Sequence, residues 1–414
     1  MMLLRLPISM TVITLALAGC AAANQQAYIA GNSAAPDTIS GPDPESSYPD
    51  QASLYADLDN PMRPEELQGA TILEVDRYRP TYRLTACHSL PLEKAEPNPQ
   101  LAAAIASAKS YSDKHQGVGL IVMHDGKLVH ESYAEGVDET SLTASASMMK
   151  SVLSLLYGIA LENGLIDSID DQVGDYVKEW SGDARGAITL RELLTMSSAL
   201  GQSDFMQMLF APDIAAIALQ TELAEPPESR FAYSNAKSKV LAIALDRRVR
   251  QAGYASLVQF LHAELWCPMG GSEALVWVDP AGKMRGYAGL HASLRDWARI
   301  GELILNGGNA NGNQIVPASW LAEMAKPSAA NAQYGLHVWL GREWTPQRSY
   351  SAASPVKVPQ SEPFVANDII YFDGFGGQRV YLIPSKGLTM VRAGMVDLQF
   401  DDSVLPNLLA RAVD

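Results

Sequence analysis

The chain has 414 residues, 47% of them hydrophobic, and a formal charge of −15. That is ample apolar content for a large core in one two-lobed unit or two domains. The acidic balance, with no Lys/Arg cluster, argues against nucleic acid and anionic lipid as partners.

At the start, Arg5 gives a positive n-region and Leu6 to Leu17 a short apolar run. Such a run is too short to cross a ~30 Å hydrocarbon core, which takes about 20 residues, so a cleaved signal over residues 1–19 is expected. Leu17-Ala18-Gly19-Cys20 resembles a bacterial lipobox, which implies a lipidated Cys20 as mature N-terminus. Ala21 after the cysteine, by resemblance to Gram-negative lipoprotein sorting, implies an outer-membrane anchor facing the periplasm. Residues 20–70 are rich in Gly, Pro, Ser and acids and read as a flexible acidic tether. The folded domain is then expected over 71–414. Cys87 and Cys267 are left as either a pair or two separate thiols.

Val118 to Met123 and Leu128 to Tyr133 flank His124-Asp125-Gly126-Lys127, a hairpin signal. Strands are expected again at Arg379 to Ile383 and Leu388 to Arg392, with helix from Ser403 to Val413. Thr189-Leu190-Arg191-Glu192 is a capping box. Ser293 to Leu305 has a helical period stopped by Asn306-Gly307-Gly308. Strands at both ends around a helical middle predict an α/β chain of the α+β type. One antiparallel sheet comes from both chain ends and is flanked by helices, with a mainly helical lobe inserted over roughly 166–285.

Three Ser-x-x-Lys motifs occur: Ser147/Lys150, Ser234/Lys237 and Ser354/Lys357. The last reads as loop. Ser147 opens a pattern in which Val152, Leu155, Leu156 and Ile159 share one helical face, so Lys150 stands one turn beyond it. A serine hydroxyl needs a base, and lysine serves only when burial or a neighbouring cation lowers its pKa from about 10.4. The competing reading makes Ser147 an N-cap and Lys150 a surface lysine. Tyr233 begins the chain's one Tyr-x-Asn. A Tyr233 phenolate is expected to take the Ser147 proton, and Asn235 to hold Lys150 and the substrate. In Phe372-Asp373-Gly374-Phe375-Gly376-Gly377-Gln378, Gly374 and Gly376 are expected to let substrate approach a strand edge. The N–H groups of Ser147 and Phe375 would then form an oxyanion hole. Tyr334 and Trp339 are candidates for the acyl pocket or for core. The seven histidines show no metal spacing, His124 and His130 being structural, and no Gly-x-Ser-x-Gly, P-loop or His-Glu-x-x-His occurs.

Ser-x-x-Lys, Tyr-x-Asn and a glycine-bearing strand motif, in this order, resemble the penicillin-binding-protein and class C β-lactamase superfamily. MHDGKLVHESY, ITLRELLTMSS, RFAYSN, GLHASLRDWARIGELILNGG, YGLHVW and GFGGQRVYLIPSKGLTMV resemble its esterase and 6-aminohexanoate-dimer hydrolase branch, over roughly Tyr111 to Arg392. The resemblance implies a β-lactamase/transpeptidase-like fold and cleavage of a small ester or amide through an acyl-enzyme, with no metal or organic cofactor. Two departures stand out. Phe372-Asp373-Gly374 occupies the Lys-Thr-Gly position, so the cation is missing and Asp373 is expected to repel a carboxylate. Pro227-Glu228-Ser229 replaces the common Pro-Gly. Residual β-lactamase or D,D-peptidase activity, separable by a chromogenic cephalosporin, and a catalytically idle binding lipoprotein are the alternatives.

Overall fold

The computed structural model describes residues 55–56, 58–88, 90–224, 230–352 and 354–413. The signal, Cys20 and Pro227-Glu228-Ser229 lie outside the described residues. In chain order the elements that frame the site are helix α1 (Pro99–Lys114), strands β1 (Gly117–His124) and β2 (Lys127–Tyr133), and helices α2 (Met149–Glu162), α3 (Asn235–Gln251) and α4 (Leu294–Leu305). Strands β3 (Trp339–Leu340), β4 (Ile370–Gly374), β5 (Gln378–Ile383) and β6 (Leu388–Gly394) and helix α5 (Val404–Ala410) follow.

The six strands form one antiparallel sheet in the order β3-β4-β5-β6-β1-β2. Both chain ends build it, as expected. The hairpin turns at Asp125 and Gly126, with φ of 49° and 75°, the left-handed pair that matches strand twist. Period-two alternation then sorts the core. Leu120, Val122, Tyr381, Ile383 and Met390 pack beneath Leu101, Ile105, Leu405 and Leu409 of α1 and α5. Ile121, Val380, Leu382 and Val391 face Leu294, Trp297 and Ile300 of α4. Ser293 caps α4 by accepting from the Asp296 N–H, and the Thr189/Glu192 capping box is present in full.

Three features depart from the sequence reading. First, α2 is not amphipathic: every residue from Met149 to Ala160 is buried, the helix packing against both α3 and the Ala318–Met324 helix. Second, the residues assigned to the end of the tether belong to the fold. Tyr55–Ala56 pairs with Thr81–Tyr82, Met62 is buried, and Arg79 holds Glu66 at 2.6 Å. Third, a second sheet of five short strands joins Tyr55–Ala56, Thr81–Leu84, Ala274–Trp277, Leu290–Ala292 and Thr143–Ala144. One of these strands lies inside the span assigned to the helical lobe.

Cys87 and Cys267 are joined as a disulfide, with Cα atoms 5.3 Å apart and a sequence separation of 180. It ties the segment after the Thr81–Leu84 strand to the end of the helical lobe. His262 packs against both sulfurs and donates through Nε2 to the Thr85 carbonyl at 3.0 Å. These three side chains are the one convergent group of potential metal ligands among the described residues. Their sulfurs are bonded to each other and the imidazole Nε2 is spent on Thr85. A loop this long gives a cross-link a large effect on the unfolded chain. Reduction, or Cys87→Ser, is expected to lower unfolding free energy by about 3–5 kcal/mol, measured by denaturant titration with and without reductant. An unchanged midpoint would refute the cross-link.

Candidate active site

Thr143–Ala144 ends against Leu290–Ala292, and the chain enters α2 through a 3₁₀ turn, Ala146–Met148. Ala146 has φ of 47°, a left-handed conformation costing a non-glycine residue about 1–2 kcal/mol. Strain of this kind commonly marks functional sites, and it stands directly before Ser147. Ser147 is partly exposed, whereas Lys150, one turn on, is buried.

The Lys150 ammonium nitrogen has three oxygen neighbours: Asn235 Oδ1 at 2.9 Å, the Tyr287 carbonyl at 3.1 Å and Ser147 Oγ at 3.1 Å. It also lies 4.6 Å from the centre of the Tyr233 ring. The Tyr233 hydroxyl is close enough to Ser147 for the serine to lower its pKa slightly. So Ser147, Lys150, Tyr233 and Asn235, singled out by motif alone, converge in one place. Asn235 is the first residue of α3, and its backbone neighbours fix Tyr233: the Tyr233 N–H donates to the Tyr350 carbonyl at 2.9 Å, and the Ala232 N–H to Met196 at 2.9 Å.

Burial pushes the Lys150 amine down to about 7, with Asp373 partly offsetting the shift. Burial raises the Tyr233 phenol well above its ordinary range; Asp373 adds to this, and the Ser147 hydrogen bond only partly opposes it. This environment disfavours the phenolate expected from sequence and favours a neutral amine beside a protonated phenol.

The end of β4 abuts the serine's turn. A Cβ on Gly374 would stand 2.5 Å from the Ser145 carbonyl, so this glycine lets the strand and the serine's turn pack closely. Gly376, at φ of 82°, shapes the β4–β5 turn, where an added Cβ would meet Val396. Phe375, between them, is 42% exposed. Phe372, at the position of the family's cation, is fully buried in the core.

Asp373 does not present a bare negative charge. Its carboxylate is gripped by Arg379 at 2.6 Å and Arg348 at 3.3 Å, and both arginines also bind Asp402, at 2.7 and 2.8 Å. Burial pushes the Asp373 carboxyl up, but Arg348 and Arg379 outweigh it and hold it below its usual value. Two cations and two anions leave the quartet neutral, so the expected repulsion of a carboxylate is corrected. Arg348 also lies 3.9 Å over the Trp339 ring. Trp339 and Tyr334 are buried behind Tyr233, about 6 Å ring to ring, and are core rather than pocket lining.

The other Ser-x-x-Lys motifs are not sites of this kind. Lys237 is buried and donates to the carbonyls of Met196 and Ser198, at 3.1 and 2.9 Å, while the Ser234 hydroxyl has no partner among the described residues. Lys357 opens a short strand, Lys357–Pro359, and binds Ser349 Oγ at 2.9 Å. The Tyr287 carbonyl, the arginine–aspartate quartet, and a buried chain from Ser151 through His337 to Ser238 were missed by motif reading.

The family model described as Beta-lactamase matches residues 102–394, a stretch that runs from within α1 to the end of β6 and holds all four converging side chains. The chain belongs to the β-lactamase family. Among curated relatives, the 6-aminohexanoate-dimer hydrolase of Paenarthrobacter ureafaciens is 24% identical over 220 residues, which is 49% of this chain. The matched part spans only 55% of that relative's length. Of solved structures, a 6-aminohexanoate-dimer hydrolase homologue from Bacillus anthracis superposes with a TM-score of 0.65 at 18% identity, covering 88% of this chain and 97% of that one. A class C β-lactamase from Rhodobacter sphaeroides gives 0.55 at 17% identity, covering 76% and 98%. These likenesses establish the β-lactamase/transpeptidase-like fold for this family member.

Proposed function

We propose that the protein is a serine hydrolase that cleaves a small ester or amide through an acyl-enzyme on Ser147. The observation that carries this reading is the valence of Lys150. A neutral amine has two N–H groups and one lone pair. Asn235 Oδ1 and the Tyr287 carbonyl are acceptors only and take the two N–H groups. The lone pair is left for the third neighbour, the Ser147 hydroxyl at 3.1 Å. Burial supplies the neutral form near pH 7.

In the first step Ser147 Oγ bonds to the substrate carbonyl carbon as its proton passes to Lys150. The Ser147 and Phe375 N–H groups stabilise the oxyanion. As the carbonyl–oxygen or carbonyl–nitrogen bond breaks, the protonated Tyr233, recharged from Lys150, hands a proton to the leaving alcohol or amine. Water then repeats the sequence on the acyl-enzyme. The step requires unprotonated Lys150, whose pKa is lowered, so activity is lost as pH falls. The kcat/KM for a neutral ester is expected to be flat above pH 8 and to fall about tenfold per unit below pH 6, as measured over pH 5–9. A profile flat to pH 5 would remove Lys150 as the base.

We further propose that Cys20 is the lipid-anchored mature N-terminus, on the outer membrane and facing the periplasm. What supports this is the Leu17-Ala18-Gly19-Cys20 motif after a short apolar run. Among the described residues no helix is long and apolar enough to cross a membrane. Mass spectrometry of the mature protein is expected to find an acylated Cys20, and Cys20→Ser to release it from membranes; an unmodified N-terminus elsewhere would refute the anchor.

A further inference from the structure

His337 lies just before β3 with φ of 57°, a conformation uncommon for a residue that carries a Cβ, and it is almost wholly buried. Such strain persists only where the surroundings hold it. Four hydrogen bonds hold it here. The His337 N–H and Nδ1 both reach the Leu194 carbonyl, at 2.9 and 2.7 Å. Nε2 lies 3.0 Å from Ser238 Oγ, and the His337 carbonyl accepts from Ser151 Oγ at 2.7 Å.

The proton positions follow from valence. A carbonyl only accepts, so Nδ1 carries the hydrogen, Nε2 keeps its lone pair, and the Ser238 hydroxyl donates to it. Burial pushes the imidazole down to about 3; the Leu194 carbonyl opposes this and the Lys150 charge adds to it. The ring is therefore neutral near pH 7, in one tautomer.

Each bond ends on an element of the site. Ser151 follows Lys150 on α2, and Ser238 is one turn beyond Asn235 on α3. Leu194 ends the Leu190–Leu194 helix; two residues on, the Met196 carbonyl holds the Ala232 N–H beside Tyr233. The Lys150–Asn235 hydrogen bond crosses from α2 to α3. The Ser151–His337–Ser238 chain crosses between the same two helices, one position and one turn away. Of charged groups, Asp373 acts on Lys150, and Lys150 on His337.

We propose that His337 is a positioning residue for the reaction at Ser147: it fixes α2 against α3, so that the Lys150 amine stays buried with its lone pair on the serine hydroxyl. The inference rests on the Ser147 reading above. A misplacement of about 1 Å in such a geometry can cost about 10²-fold in rate.

The test uses the full chain, a neutral ester, and NMR of 13C-labelled lysine to follow the Lys150 side chain. His337→Asn tolerates the left-handed backbone, but its amide is too short to reach Ser238. Its kcat is expected to fall at least about tenfold with KM nearly unchanged. As water reaches the amine, the Lys150 titration is expected to rise by at least about one unit from about 7, and the acid limb of kcat/KM to move up in pH with it. His337→Gln puts an acceptor back near the Nε2 position and is expected to recover most of the kcat. Ser238→Ala removes one hydroxyl and is expected to move Lys150 in the same direction by less. Cys87→Ser, which loses stability at the disulfide, is expected to leave the Lys150 titration unmoved. Activity losses that follow thermal stability across these variants, with Lys150 titrating as in wild type, overturn the proposal and make His337 a packing residue. Should His337→Asn fail to fold, Ser238→Ala decides: a raised Lys150 titration supports positioning and an unmoved one overturns it. A raised titration in a protein whose wild type hydrolyses no ester would support positioning and sink the hydrolase reading instead.

Discussion

Ser147→Ala is expected to abolish labelling by a fluorophosphonate probe and to lower ester hydrolysis by at least about 10³-fold, with thermal stability nearly unchanged. Stability is spared because Ser147 is partly exposed, and its removal leaves Lys150 bonded to Asn235 and Tyr287. Lys150→Ala and Tyr233→Phe are each expected to cost nearly as much. Groups that move one proton together do not contribute additively, so the Ser147→Ala/Lys150→Ala variant should be little worse than either single one. Equal activity in all three single variants would instead favour an idle scaffold. Silencing by Ser234→Ala but not Ser147→Ala would move the site to the second Ser-x-x-Lys, against the buried, substrate-remote setting of Lys237.

Asp402→Ala is expected to lower unfolding free energy by about 3–5 kcal/mol, measured by urea titration. Asp402 is shared by Arg348 and Arg379, both almost wholly buried, and its loss leaves two guanidinium groups with one carboxylate between them. The damage should also reach the chemistry. Arg348 lies 5.0 Å from the ring of Tyr350, whose carbonyl positions Tyr233, and is stacked on Trp339 behind it. A loss below about 1 kcal/mol would mean that the quartet is solvated and contributes little.

What could be read from sequence was local or carried by motif. The Asp125-Gly126 turn, the Thr189/Glu192 box and the Ser293 cap each depend on residues within a few positions of one another, and each is present. Ser147, Lys150, Tyr233 and Asn235 were legible because their identities and order carry chemistry, although periodicity said nothing of their meeting. The five-stranded sheet was not legible, since its strands run only two to four residues and show no alternation to detect. Nor was the quartet: Arg348, Asp373, Arg379 and Asp402 pair across separations of up to 54 residues, and no local pattern links them. For the same reason Asp373 was read as an isolated negative charge and Tyr233 as a phenolate. Both are properties of what surrounds a residue once the chain is closed.

Strand β1 sits between β2, its hairpin partner, and β6, more than 260 residues further along the chain. The sheet's interior therefore cannot be completed until the last described strand is available. Before that, β1 presents an unpaired edge of Val, Leu, Ile and Met to any strand it meets. Pairing at such separation is slow to form, and the waiting edge is an aggregation hazard. For a chain that must cross a membrane before folding, the same delay is an advantage. Under the export proposed above, the sheet cannot close while its C-terminal strands are still being made, so the polypeptide would stay threadable and its passage would depend on whatever shields that edge in transit.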